Sequence, residues 1–247
     1  MAQATFRIWR GDASGGKFQD YTSEVVPGMV VLDAVHAVQA SQANDLAVRW
    51  NCKAGKCGSC SAEINGRPRL MCMTRLSDLP DDEPVRIEPM RAFPLLRDLV
   101  TDVSSNYAAK RQVRPFQPRT PDRPDGTWTM AQADVDRVQE FRKCIECFLC
   151  QDVCHVLREH AMHAQFVGPR VLVHVAALEM HPLDVEDRLP ALKERHGVGY
   201  CNITKCCTKV CPEGITITDN AIIPLKERVV DRFYDPLRAF MRLVGID

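Results

Sequence analysis

The chain has 247 residues, 45% hydrophobic and 26% charged, a globular composition with room for one large domain or two ordinary ones. Its 32 basic and 32 acidic residues cancel, and that balance argues against nucleic acid as a partner. No run of about 18 apolar residues is present to cross a membrane, and the most apolar stretch, Val171 to Leu178, is short and contains His174. The opening MAQATFRIWR lacks the apolar core of a secretory signal and the character of a transit peptide, so it reads as a cytosolic, prokaryotic start.

Thr5 to Arg10 alternates apolar and charged residues at strand period. After the Pro27-Gly28 turn, Val30, Val31, Ala34, Val35 and Val38 fall at helical spacing, which predicts an amphipathic helix over 29–41. Asn65-Gly66 predicts a hairpin between Ser61–Ile64 and Arg67–Met73, and Val85 to Glu88 reads as a further strand. Residues 112–126 hold four prolines and no apolar period, marking a boundary or crossover. The basic residues Lys110, Arg111, Arg114 and Arg119 around it read as a solvated linker. Beyond it the pattern turns helical. Val135, Val138 and Phe141 share a face, Gly168-Pro169 opens a helix to about Met180, and Asp184 to Arg195 predicts a third. The tail from Asp219 is helix-prone but should break at Pro224 and Pro236. Strands around one helix followed by helices give an α+β chain.

The twelve cysteines carry the chemistry. Cys52, Cys57, Cys60 and Cys72 form a C-x4-C-x2-C…C pattern, the plant-type ferredoxin spacing. Cys144, Cys147, Cys150 and Cys154 form C-x2-C-x2-C-x3-C, the bacterial ferredoxin run. Cys201, Cys206, Cys207 and Cys211 close the set, with Pro212 following. An iron–sulfur cluster needs thiolates converging from a loop that wraps it closely and aims N–H groups at the sulfurs. Gly55 and Gly58 permit that loop, and their amides with the Ser59 hydroxyl can offset thiolate charge. In two-cluster ferredoxins the last cysteine of a run serves the other cluster. Cys144, Cys147 and Cys150 then pair with Cys211, and Cys154 joins the 201–207 group. Cysteine count leaves open whether that last site holds 4Fe–4S or 3Fe–4S, because Cys206 and Cys207 are neighbours that do not easily face one centre. Six disulfides and a four-cysteine zinc scaffold are the competing readings.

The chain resembles the iron–sulfur subunits of succinate dehydrogenase and fumarate reductase from near its N-terminus to about residue 232. CKAGKCGSCSAEINGRPRLMC, KCIECFLCQDVC and GVGYCNITKCCTKVCPEGI are similar to that family's three cluster segments, in order. The resemblance implies an N-terminal β-grasp, 2Fe–2S ferredoxin-like domain over 1–108, a crossover linker over 109–133 and an all-α helical ferredoxin domain over 134–247. It implies 2Fe–2S on Cys52, Cys57, Cys60 and Cys72, and 4Fe–4S on Cys144, Cys147, Cys150 and Cys211. It further implies 3Fe–4S on Cys154, Cys201 and Cys207, with Cys206 an ordinary buried thiol.

The family's partners follow as expectations. They are a flavoprotein subunit with covalent FAD, membrane-anchor subunits with or without haem, and a quinone, on the cytoplasmic face of the bacterial inner membrane. No substrate-activating residue is expected on this chain. It departs from the family in places. His155 stands where many members have Pro, no Trp follows within 155–163, and Asn202 rather than His follows Cys201. Those departures favour menaquinone or a different anchor, with His155 and Asn202 as quinone-proximal candidates. The other histidines, including His160, His163 and His174, read as solvated surface groups, and Trp9, Trp50 and Trp128 as packing or interface residues. Fumarate reduction is the alternative direction, and a glycolate oxidase or heterodisulfide reductase type subunit the alternative complex.

Overall fold

The computed structural model describes residues 2–236. In chain order the strands among them are β1 Ala2–Asp12, β2 Gly15–Val25, β3 Ser61–Ile64, β4 Arg67–Leu70, β5 Val85–Glu88, β6 Leu95–Arg97 and β7 Val100–Thr101. The helices are α1 Val31–Ser41, α2 Ser104–Arg111, α3 Gln132–Gln139, α4 Leu149–Asp152, α5 His155–Arg158, α6 Gly168–Glu179, α7 Leu189–Glu194, α8 Cys206–Val210 and α9 Ile223–Phe233.

The strands form one mixed sheet in the order β4-β3-β5-β1-β6-β7, with β2 paired to β1. β1 and β2 are an antiparallel hairpin in register from Ala2 opposite Val25 to Asp12 opposite Gly15. β1 runs parallel to β5, with Phe6 opposite Val85 and Ile8 opposite Ile87. The expected hairpin forms from β3 and β4 across Asn65-Gly66. α1 starts where Asp33 accepts the Val30 amide at 3.2 Å, a carboxylate satisfying a first-turn N–H. Its buried residues Val31, Leu32, Ala34, Val35 and Val38 enter one core with Phe6, Ile8, Ile64 and Ile87.

β2 had no signature in the sequence. Its residues GGKFQDYTSEV are mostly polar, and only Tyr21 is fully buried, so β1 supplies the template that holds it extended.

Two compact units emerge, and neither is continuous in sequence. The first contains the residues through Ser104 together with Ile145–Val153 and Val210–Glu213. In it, Cys147, Phe148 and Leu149 join the sheet's core, Phe93 meets Phe148 edge-on at 6.2 Å, and Ala92 N–H donates to the buried Asp152 carboxylate at 2.9 Å.

The second unit contains Ser105–Cys144, Cys154–Lys209 and the chain from Gly214 on. Val138 and Phe141 are buried on the expected face. α6 begins as predicted, with Pro169 in its first turn. The third expected helix is shorter than its pattern. Residues 184–188 stay non-helical because Asp184 bridges to Pro118 and its carboxylate accepts the amides of Glu186 at 3.0 Å and Gln117 at 3.2 Å, a local alternative to helix. Pro224 does not end the tail helix. A π-helical segment, Ile217–Ile222, precedes α9, and Pro224 lies in the first turn of α9, where its missing N–H costs nothing. The tail beyond residue 236, which carries the rest of the Pro236 expectation, lies outside the described residues.

The crossover is exposed along most of its length, as expected of a solvated linker, and is anchored at a few points. Arg188, 1% exposed, donates to the carbonyls of Arg114 at 2.9 Å and Pro115 at 2.7 Å. Arg114 pairs with Glu186, and Arg119 pairs with Asp122 at 2.9 Å through its second nitrogen. Arg114 and Arg119 thus have acidic partners within the same unit.

Candidate metal centres

All twelve cysteines are free thiols, which disposes of the disulfide reading. Among the described residues no three His, Cys, Asp or Glu side chains meet closely enough to share one metal ion. A tetrahedral zinc site would need sulfurs only about 3.8 Å apart, from Zn–S bonds of about 2.3 Å.

The first centre lies wholly in the first unit. Cys52 is exposed, Cys57 intermediate, and Cys60 and Cys72 buried, so the site has one face toward solvent. Gly55 and Gly58 both sit at φ +66°, which allows the tight wrap. The amides of Ala54 and Lys56 donate to Cys52 Sγ at 3.4 and 3.3 Å. The Cys52 amide reaches Cys57 Sγ at 3.5 Å, and the Cys72 amide reaches Cys60 Sγ at 3.5 Å. Burial raises the Cys57 thiol, but hydrogen bonds from the Ser59 side chain, the Cys52 amide and the Ser59 amide outweigh it and bring the pKa to about 6. Burial pushes Cys60 up to about 12. Amide donors converging on sulfur are what a thiolate-bound, negatively charged cluster requires, and this donor set fits one. Ser59 acts as read from the sequence. The amides that reach sulfur belong to Cys52, Ala54, Lys56, Ser59 and Cys72. No sequence signal singles those out, because every residue but proline carries an amide.

For the second centre, Cys147, Cys150 and Cys211 belong to the first unit, with Cys147 and Cys150 buried. Glu146 and Phe148 take positive φ, +55° and +62°, bending the chain at alternate residues so that it can wrap a compact body. Cys144 belongs to the second unit, directly after the 3-10 turn Glu140–Lys143. There Glu140 accepts the Thr216 amide at 2.6 Å and bonds the Asn220 carboxamide, a pairing between distant residues that the sequence reading missed.

The third centre lies wholly in the second unit. Cys154, Cys201, Cys206 and Cys207 line one small cavity, walled on the apolar side by Val156 and Phe166. Burial raises the Cys154 thiol to about 11, and the nearby Cys206 and Cys207 add to the rise. Burial likewise raises Cys207, opposed by its contact with the Thr218 hydroxyl at 3.4 Å. Such thiols ionise when a metal compensates the charge. Cys206 is not the buried bystander expected. It is partly exposed, lines the cavity, and accepts a hydrogen bond from Thr204 Oγ1 at 3.2 Å.

His155 and Asn202 meet on the same cavity, Asn202 Nδ2 lying 2.8 Å from His155 Nε2. His160 and His163 are exposed, as expected, whereas His174 is half-buried and His196 is buried, against the surface reading.

Residues 5–108 match the model of a 2Fe-2S iron-sulfur cluster binding domain, and residues 140–215 that of a 4Fe-4S dicluster domain. The fumarate reductase iron-sulfur subunit of Mycobacterium tuberculosis (strain CDC 1551 / Oshkosh) is 35% identical over 82% of each chain. The succinate dehydrogenase iron-sulfur subunit of Bacillus subtilis (strain 168) is 29% identical over 86% of this chain and 87% of its own. A chain of the solved Mycobacterium smegmatis Sdh1 complex in the apo form is 62% identical, covers 95% of this chain and 98% of its own, and superposes with a TM-score of 0.91. Two ferredoxin-type domains on one polypeptide define an iron–sulfur electron-transfer protein. The chain belongs to the family of iron–sulfur subunits of succinate dehydrogenase and fumarate reductase, and is thereby an oxidoreductase subunit.

Proposed function

We propose that this chain is the electron relay of a succinate:quinone oxidoreductase, linking the covalent FAD of a flavoprotein subunit to a membrane quinone. Cys52, Cys57, Cys60 and Cys72 hold 2Fe–2S. Cys144, Cys147, Cys150 and Cys211 hold 4Fe–4S. Cys154, Cys201 and Cys207 hold 3Fe–4S. When bound, these clusters supply one-electron oxidation and reduction. The protein's part is to place the thiolates, aim amides at them and control exposure. The sheet-bearing part is a β-grasp ferredoxin-like domain over 1–108, followed by a linker over 109–133 and a helical ferredoxin domain over 134–247.

The observation that carries the reading is the third cavity, where thiols from two segments far apart in sequence share one pocket with His155 and Asn202. The exposed side of the first centre, with Trp50 46% and Met73 58% exposed near Cys52, suits docking of the flavoprotein. Near Cys201, Tyr200 and Ile203 are also exposed, which suits an anchor. Among the described residues no helix is long and apolar enough to cross a membrane, so attachment to the cytoplasmic face of the bacterial inner membrane would come through anchor subunits, with or without haem. His155 and Asn202 stand at the quinone end, with menaquinone the favoured acceptor. Fumarate reduction is the second reading, since the relative at 35% identity bears that name.

Iron and labile-sulfide analysis of the purified complex, with low-temperature electron paramagnetic resonance, tests the assignment. Three distinct signals are expected, from 2Fe–2S, 4Fe–4S and 3Fe–4S. Zinc in place of iron overturns the reading as a whole, and only 4Fe–4S signals from the helical half overturn the third site.

A further inference from the structure

Three observations bring the loop of the first centre into direct contact with the segments around Cys147 and Cys211 within the first unit. The first is steric. A Cβ built on Gly58 would lie 2.6 Å from Cys147 Cα, 2.8 Å from Cys147 N and 2.9 Å from Ile145 O. The loop of one centre therefore rests backbone to backbone on a cysteine of the other. Only a residue without a side chain, at φ +66°, permits that approach. The second is a buried hydrogen bond. Ser61 Oγ lies 2.8 Å from the carbonyl of Cys147 and 3.0 Å from the carbonyl of Gly58. Its single proton is shared between two carbonyls, one from each side of the contact. The third is ionic. Lys56, whose amide donates to Cys52 Sγ, places its ammonium 3.1 and 3.2 Å from the two carboxylate oxygens of Glu213. Glu213 follows Cys211 by two residues.

We propose that Ser61 and Gly58 form the bridge over which electrons pass from the first centre to the second, with Ser61 as the positioning residue that holds its two sides together. The inference rests on the cluster assignment above. Electron transfer weakens exponentially with distance, and it weakens faster across a gap than along bonds and hydrogen bonds. A backbone contact closed by a buried hydroxyl is thus a connected route between the Cys57–Cys60 loop and Cys147. With both clusters bound, the 2Fe–2S side would supply one electron and the 4Fe–4S side would take it up, while Gly58 and Ser61 hold the two sides in contact. No proton or other reactant is needed. Lys56 and Glu213 hold the outer edge of the same contact. Their ion pair is half-open to water and so contributes less to its rigidity than the buried hydroxyl does.

The test uses the assembled complex carrying Ser61→Ala or Ser61→Thr. Iron and sulfide content and the separate cluster spectra are measured first. If the wild-type complex lacks 2Fe–2S and 4Fe–4S signals, the ligand assignment fails, and this result is separate from any variant's behaviour. With both clusters present, two readouts follow. One is the rate of electron transfer from 2Fe–2S to 4Fe–4S after rapid photoreduction. The other is the magnetic coupling between the two reduced clusters. Ser61→Ala should keep both clusters and slow the inter-cluster step several-fold, with weaker coupling. Ser61→Thr, which keeps the hydroxyl, should restore both readouts toward wild type. Wild-type transfer in a fully loaded Ser61→Ala complex overturns the bridge. Loss of either cluster from Ser61→Ala also overturns it, because Ser61 would then be an assembly residue. Gly58→Ala provides a second reading. Added bulk at the contact should slow the same step, and an unchanged rate with both clusters present counts against the route.

Discussion

Replacing Arg188 with Met should be the most damaging single change away from the cysteines. The guanidinium is 1% exposed and donates to the carbonyls of Arg114 at 2.9 Å, Pro115 at 2.7 Å and Glu186 at 3.1 Å. It also donates to the Asp184 carboxylate at 2.9 Å, and that side chain is equally buried at 1%. Met fills similar volume, so cavity formation is a minor effect and the polar groups dominate. Taken singly, hydrogen bonds to a charged group contribute about 1.5–3 kcal/mol, and four of them would sum to about 6–12 kcal/mol. That sum overshoots, because the groups share one side chain and the crossover can open to admit water. Breaking a buried ion pair by removing one partner costs about 3–5 kcal/mol. The lower end applies here, since Asp184 keeps the amides of Gln117 and Glu186 as donors. A loss of about 3 kcal/mol, at about 2–4 °C per kcal/mol for a chain of this size, lowers the melting temperature by about 6–12 °C. Thermal scans of the complex at one fixed rate measure it, with protease nicking within 112–126 as a second readout. Arg188→Lys should fall between the two, because an ammonium cannot span the carbonyl fork. A shift below about 2 °C for Arg188→Met would refute the argument that this side chain fastens the crossover.

Two other expectations are open to direct measurement. Cys154→Ser and Cys207→Ser should each abolish the third-site resonance signal, whereas Cys206→Ala should retain it at unchanged iron content. Loss of the signal in Cys206→Ala would make that thiol a ligand and require a different cluster. His196 is buried, neither ring nitrogen has a hydrogen-bond partner, and burial, then the charge of Arg195, lowers its pKa. The unfolded chain then takes up a proton that the folded chain refuses. Stability is therefore full above about pH 6.5, the ordinary histidine value, and falls as pH drops below it toward the depressed folded value. His196→Leu should flatten that part of the melting-temperature profile between pH 7 and pH 5; a slope equal to wild type would count against a buried neutral imidazole.

Local rules were enough for much of this chain. The α1 pattern, the Asn65-Gly66 hairpin and the Gly168-Pro169 helix start each rest on residues within a few positions of one another, so hydrophobic period and turn chemistry reveal them. The cysteine runs are legible for the same reason, because a cluster loop must present its ligands at short, repeated spacings. Where local and distant demands compete, the pattern misleads. Asp184 to Arg195 has a helical rhythm, yet the Asp184 carboxylate captures the amides of Glu186 and Gln117, and Gln117 is far away in sequence.

The amino-acid sequence by itself determined the two ferredoxin-type cysteine patterns, the strand-then-helix order and the family. Tertiary structure decided which distant segments share a unit. Ile145–Val153 and Val210–Glu213 pack with the sheet although helical sequence surrounds them, since their apolar side chains find a core there. It also turned Cys206 onto the third cavity, placed Arg188 under the crossover and set Gly58 against Cys147. Each of these joins residues far apart along the chain. A side chain's partner across such a separation depends on where the backbone returns, and no local spacing encodes that.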